Sequence, residues 1–327
     1  MGTEPLVSIV TPFHNGAAYI AECIESVLAQ VYRNFEHLLV DNCSTDGARE
    51  IAARYAAKDR RIRLIVNSDF LPQLSNFNAA LAHIAPGAKY VKMALADDTL
   101  LPECVERMVS SAESCPTAGL VGSYYHFQGR IDGVGLPRDV TIVKGVEALR
   151  LTLRSGCFLV GSPTSLLYRA DLVRARQQFF QVGSYHADTN VAYDLMLEHD
   201  FAFVHQVLSF IRSDNESLSN SIRAFGPNAL DFLIVVERLA DRVLPADEAA
   251  RCKRTSWRDY HAFLGRELLR FRGEKFWSYH RAGLATIERS LQWRGIVLWA
   301  LRHLFRAALN PGNTISKSLA SLRRAGT

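Results

Sequence analysis

No G-x-G-x-x-G follows the first β-branched run of this chain, so the dinucleotide-binding fingerprint is missing. No G-x-x-x-x-G-K-[ST] occurs either, which excludes a P-loop cradle for phosphates. The 6 cysteines (Cys23, Cys43, Cys104, Cys115, Cys157, Cys252) form no C-x-x-C pair. Zinc spacing is therefore lacking, and reduced, partly buried thiols are expected. No uninterrupted apolar run is long enough to span a bilayer. Met1-Gly2-Thr3-Glu4-Pro5 carries no signal-peptide pattern, so a cytoplasmic location is expected. Acidic residues are scarce in one region: residues 251–327 hold 4 Asp+Glu against 16 Lys+Arg, a net charge of +12. The whole chain is +5, leaving −7 on residues 1–250.

What is present is a regular alternation. Its 327 residues, 48% of them hydrophobic, suffice for one large domain and a smaller one. Strand patterns at Val7–Thr11, Phe35–Val40, Arg63–Val66 and Tyr90–Leu95 alternate with helical patterns at 18–30, 46–57, 74–84 and 102–115. The repeat of about thirty residues is that of a βαβ unit, and it predicts a largely parallel sheet covered on both faces.

The ends of these strands are polar. They read Pro12-Phe13-His14-Asn15, Asp41-Asn42, Asn67-Ser68-Asp69 and Asp97-Asp98. Ligands of open α/β sheets bind outside the carboxyl ends of the strands, so four such endings in series predict a binding rim. Two adjacent carboxylates after a buried strand are costly unless a cation sits between them and a ligand. Asp97-Asp98-Thr99 also suits a turn or helix start. With no phosphate loop, a phosphate-bearing ligand would need a metal. Phe13 is placed to stack on a base, with Asp41 and Asn42 on its edge, which describes a nucleotide diphosphate bound through a divalent ion.

Val7-Ser8-Ile9-Val10-Thr11-Pro12-Phe13-His14-Asn15, Ile24–Gln30, Leu39-Val40-Asp41-Asn42-Cys43-Ser44-Thr45-Asp46-Gly47, Asn76–Leu81 and Ala96-Asp97-Asp98 together resemble the opening of family 2 glycosyltransferases. Val160–Arg169, Ala187-Asp188-Thr189 and Val207–Arg212 continue the likeness more loosely to about residue 220. The resemblance implies a GT-A-type α/β fold, doubly wound, with a mostly parallel sheet and a smaller α-helical C-terminal region. It places Thr11, Pro12, Phe13 and Asn15 at the nucleotide, Asp41 and Asn42 at a pyrimidine, and Asp97 at the ribose or diphosphate. Asp98 would be the metal ligand, for Mn2+ or Mg2+, and Asp188 the base for an inverting transfer. Three departures stand out: Asn42 replaces a second acid, Leu95 stands where many members have another, and Arg212-Ser213-Asp214 lacks a histidine. Asp188 also precedes an apolar helical run, where an Asp more commonly caps. The loop after the first strand lacks the glycines, arginine and lysine of a nucleotidyltransferase, so that reading is disfavoured.

The C-terminal part reads as a linker near residues 217–227 followed by helices at 229–243, 246–272 and 286–309, ending at Asn310-Pro311-Gly312. The expected domains are 1–220, catalytic, and 221–327, basic and helical. In the last helix Ile287, Leu291, Leu298, Leu301, Phe305 and Leu309 form a stripe flanked by Trp299, Arg302, His303 and Arg306. The stripe either packs on the catalytic domain or meets an anionic membrane; no nucleic-acid motif accompanies the basic charge. The expected function is metal-dependent, inverting transfer from a nucleotide sugar, a UDP-sugar, to a saccharide or lipid-linked acceptor. A non-catalytic sugar-nucleotide-binding partner subunit is the alternative. Specificity is expected in Tyr124–Gly161 and around Tyr185-His186.

Overall fold

The computed structural model describes residues 4–182, 186–212 and 224–309. Tyr185, Ser213, Asp214, residues 217–223 of the expected linker and Asn310–Gly312 lie outside the described residues. The chain divides into two compact units, residues 1–215 and 216–327.

The first unit begins as the alternation predicts. Strands β1 (Val7–Phe13), β2 (Phe35–Asp41), β3 (Ile62–Val66) and β4 (Tyr90–Met93) alternate with helices α1 (Ile20–Leu28), α2 (Ala48–Ala56) and α3 (Gln73–Leu81). Then come β5 (Thr99–Leu100), α4 (Cys104–Ser114), β6 (Ala118–Phe127), β7 (Arg130–Asp132), β8 (Ile142–Val143) and α5 (Gly145–Ser155). A 3₁₀ turn (Pro163–Ser165), β9 (Leu166–Arg169), α6 (Ala170–Arg174), α7 (Ala187–Glu198) and β10 (Asp200–Ile211) complete it. The strands form one sheet in the order β3-β2-β1-β4-β9-β6-β10-β5, with β7 added to β6 and β8 to β10. Strands β3, β2, β1 and β4 run parallel, β6 and β10 run parallel to each other, and β9 runs against both β4 and β6. Thr99-Leu100, within the region read as the approach to a helix, forms a short strand on β10 instead.

Every residue of β1 is buried, as a central strand covered on both faces requires. Pro12 is tolerated there because pairing with β4 stops at Val10–Met93, so its missing N–H falls past the ladder on that side. Helices α1 and α2 are tied together by one carboxylate: Asp46 accepts from the Ala17 and Ala48 amides. Gly47, at φ 95°, makes the turn into α2 that an L side chain would strain. At Gly145 helix α5 meets α7 so closely that a methyl group would overlap the Met196 and His199 carbonyl oxygens.

The second unit is helical: α8 (Pro227–Val243), α9 (Ala246–Leu269), α10 (Glu274–Ala285) and α11 (Trp293–Leu309). Leu230, Leu233, Tyr260, Leu264, Phe276 and Ile296 lie in its core. The single helix expected over 286–309 is broken, because Glu288 takes a left-handed φ of 55° and ends α10's path. This splits the expected stripe. Ile287 and Leu291 pack against the bundle core, whereas Leu298, Leu301, Phe305 and Leu309 are exposed.

Candidate active site

The carboxyl ends of β1–β3 carry a dense polar network, and most of it is internal. Asp41 is fully buried; its carboxylate accepts from the Ser44 amide at 3.0 Å and from Arg49 Nε at 2.6 Å. Asn42 Nδ2 donates to the Leu71 carbonyl at 2.8 Å, and its Oδ1 accepts from the Leu71 amide and Asn67 Nδ2, both at 3.0 Å. Asn67 Nδ2 also reaches Asn76 Oδ1. Asn42, expected to read a pyrimidine edge, is therefore spent on pinning the loop after β3. Asn15, at φ 51°, uses Oδ1 to hold the Thr45 amide at 2.8 Å while its own amide donates to Ser44. It joins the β1–α1 and β2–α2 loops.

Two expected base-pocket side chains point elsewhere. Phe13 is 3% exposed and packs with Ile20, Ile24, Leu39 and Ala48. Thr11 is buried with its hydroxyl 2.9 Å from His37 Nε2. Alternation along β1 puts both on the face that α1 covers, so neither side chain reaches the rim. The aromatic surface at the rim is His14 instead. It is exposed, lies 4.9 Å from Phe70 in an edge-to-face pair, and bonds the Asn42 carbonyl through Nδ1 at 2.7 Å. His14 follows Phe13 by one residue, and only the strand's last inward-facing position separates the two fates.

Past β4 the acids behave differently. Asp98 is 1% exposed; Oδ2 accepts from Thr164 Oγ1 at 2.5 Å and Oδ1 from the Arg212 amide at 3.0 Å. Burial, and then the charge of Asp97, push its pKa up to about 7. Beneath it lies Lys92, fully buried, whose Nζ donates to the carbonyls of Thr164 at 2.5 Å and Leu166 at 3.2 Å. Thr164 Oγ1 also accepts from the Leu95 amide, so the 3₁₀ turn is clamped to the end of β4. Asp97 is only partly buried. Arg212 Nε donates to the Asp97 carbonyl at 3.1 Å, its guanidinium pairs with Glu22 at 2.7 Å, and it lies 4.8 Å over the Tyr19 ring. Neither Lys92 nor Thr164 carries any mark in the sequence as a partner of the acids.

Among the described residues no three His, Cys, Asp or Glu side chains converge as a metal cage. Asp97 and Asp98 fit the other mode, in which an ion takes one or two carboxylates and fills its shell with phosphate oxygens and water. A cation arriving at this end would meet Asp97 first, because Asp98 faces inward.

Asp188 lies in the first turn of α7 and accepts from the Thr189 amide at 2.8 Å. It is inside the helix and not at the N-cap, which is His186. Burial raises its pKa, partly offset by His186 and backbone N–H groups. Burial pushes up the hydroxyls of Tyr125, Tyr168 and Tyr193, and the Asp188 charge adds to it at each, behind Asp132 at Tyr125 and Cys157 at Tyr193. Tyr168 is 1% exposed and its hydroxyl finds no protein partner among the described residues.

The model of glycosyl transferase family 2 matches residues 8–175, more than half of the chain. The chain belongs to glycosyl transferase family 2. The matched residues include every strand-end group above except Asp188 and Arg212. The putative glycosyltransferase EpsE of Bacillus subtilis is 30% identical over 187 residues, 56% of this chain and 63% of that protein. The chain spans less than two thirds of the length of the curated relatives it matches first. S. aureus TarS 1–349 in complex with UDP-GlcNAc has a TM-score of 0.57 at 17% identity, covering 79% of this chain and 73% of that one. A mannosyltransferase of Pyrobaculum calidifontis, in complex with GDP-Man and Mn2+, has a TM-score of 0.55 at 18% identity, covering 99% and 86%. The family's GT-A architecture is thus that of this chain as well.

Proposed function

We propose that this family 2 chain transfers a sugar from a nucleotide sugar, a UDP-sugar, to a hydroxyl of a saccharide or lipid-linked acceptor, with inversion. The observation that carries the reading is the pair at the end of β4: a half-buried Asp97 beside Asp98, whose pKa burial and the neighbouring charge lift to about 7. Such repulsion is relieved when a cation binds between the pair and a diphosphate. The UDP-GlcNAc bound to TarS and the GDP-Man and Mn2+ bound to the Pyrobaculum enzyme support this class of ligand. A surface polysaccharide or glycolipid as product follows from family resemblance.

Asp97 and Asp98 would hold a manganese or magnesium ion, which when bound meets the charge developing on the departing nucleoside diphosphate. Thr164 and the Arg212 amide fix the Asp98 carboxyl, and Lys92 fixes Thr164. His14 and Phe70 offer a face to the base. Asp188 takes the acceptor's hydroxyl proton; its raised pKa makes it a better base than an exposed carboxylate. The acceptor oxygen forms its bond to the anomeric carbon as the bond to the diphosphate oxygen breaks.

Calorimetric titration with UDP, GDP and dTDP, with and without manganese, tests the donor site. Labelled donor then reports turnover. Manganese-dependent binding of UDP with release of UDP from a UDP-sugar is expected. Binding without turnover in any acceptor screen would favour the non-catalytic partner subunit. Asp188→Asn should retain UDP binding and lose about 10²–10⁴-fold in transfer rate; near-normal turnover would remove it as the base.

A further inference from the structure

Helix α11 (Trp293–Leu309) is unusual in where it puts its apolar side chains. Only Ile296 and Ala300 are buried in the helical unit's core. Val297, Leu298, Leu301, Leu304, Phe305 and Leu309 are between 44% and 66% exposed. At 3.6 residues per turn these six span about 140° of the helix circumference on one face. Arg302 and Arg306 follow immediately along one border of that face, and Arg302 lies 5.0 Å over the ring of Trp299. The helix holds three arginines (Arg294, Arg302, Arg306) and no Asp or Glu. Ordinary surface helices carry the reverse pattern, with charge opposite the core and apolar residues against it.

We infer that α11 docks in the plane of an anionic lipid bilayer, its leucine and phenylalanine face in the outer acyl region and Arg302 and Arg306 at the headgroups. Two observations favour this occupant over a protein partner. From Val297 to Leu309 the exposed side chains of the face are aliphatic apart from Phe305, which suits a fluid medium that needs no shape complement. The charge on its border is wholly of one sign, which a surface of phosphate headgroups complements along its entire length. No described helix is long and apolar enough to cross a membrane, so the fit is to one leaflet. The inference does not depend on the sugar-transfer reading, because it uses no residue of the candidate active site.

Flotation of the full chain with vesicles tests it, using phosphatidylcholine alone or mixed with phosphatidylglycerol. Flotation with the anionic vesicles, weakened by salt, is expected. Leu301→Asp and Phe305→Asp should each lower vesicle affinity about tenfold. Arg302→Gln and Arg306→Gln should each lower it about fivefold and flatten its salt dependence. All four side chains are exposed, and circular dichroism with a melting curve confirms that each variant is folded. Absence of flotation by the unaltered chain would overturn the proposal. So would flotation that the two Asp substitutions leave unchanged, which would place the contact elsewhere. Concentration-dependent self-association abolished by those substitutions, without vesicle binding, would overturn it in favour of a second copy of this chain.

Discussion

Asp41-Asn42 ends β2 and Asp97-Asp98 follows β4, so the same kind of dipeptide stands at the same edge of one sheet. The two are used differently. Both side chains of the first pair are consumed by the protein: Asp41 by Ser44 and Arg49, Asn42 by Leu71 and Asn67. In the second pair only Asp98 is locked inward, and Asp97 stays partly open to solvent. A polar residue at a strand's carboxyl end is thus either a bracket for the loop beyond it or a group offered to a ligand. What decides is whether nearby backbone has unpaired amides and carbonyls to claim it. The loop after β3 has them at Leu71, and past β4 the Arg212 amide takes Asp98.

The comparison can be broken at its most buried point first. Phe13→Ala should cost about 3–5 kcal/mol of stability, as expected for a core aromatic. His14→Ala should leave stability within about 0.5 kcal/mol while weakening nucleotide binding. Denaturant melts and calorimetry distinguish these outcomes, and a stable Phe13 variant with lost nucleotide affinity would restore Phe13 to the base. Next, Asp97→Ala should lower turnover by about 10²–10³-fold with little change in melting. Asn42→Ala should do the opposite. It orphans both Leu71 backbone groups and should cost about 1–3 kcal/mol of stability, with any loss of nucleotide affinity following from the loosened loop.

A smaller effect, spread over pH, comes from two histidines that stay neutral inside the fold. Burial depresses His37 to about 3 and His280 to about 4. Below their unfolded pKa of about 6.5 the unfolded chain takes up protons that the native chain refuses. Stability is therefore complete above that value and falls as the pH drops, by up to about 1.4 kcal/mol per pH unit for each histidine, levelling off as the native sites titrate. Melting temperatures between neutral pH and pH 5 would show it. Asp98, lifted to about 7, acts in the opposite sense over this range, so the profile is best taken in Asp98→Asn, where a flat line would mean that neither ring is held neutral.

Periodicity made β1 to β4 and the helices between them legible, because a parallel sheet covered on both faces needs apolar strands and amphipathic helices at a nearly fixed interval. The rim was legible as a set of polar strand ends. The division of labour within it was not. Phe13 and His14 are adjacent aromatic-like residues, and one step of β alternation puts the first in the core and the second at the rim. Lys92 and Thr164 lie 72 residues apart and meet only through the antiparallel placement of β9 beside β4. The break at Glu288 depends on a left-handed backbone that no helix-period count detects.

The contact at Gly145 gives a residue remote from the strand-end rim a hold over the proposed chemistry. It abuts the last turn of α7, and Asp188 rides on the first turn of that same rigid rod. Any side chain there would have to push the rod away, and the displacement would be delivered upstream from Met196 and His199 to the carboxyl of Asp188. A survey of natural variation would then find a glycine held fixed for the sake of an acid it never touches. Its replacement would register as a defect in rate before it registered as a defect in chemistry.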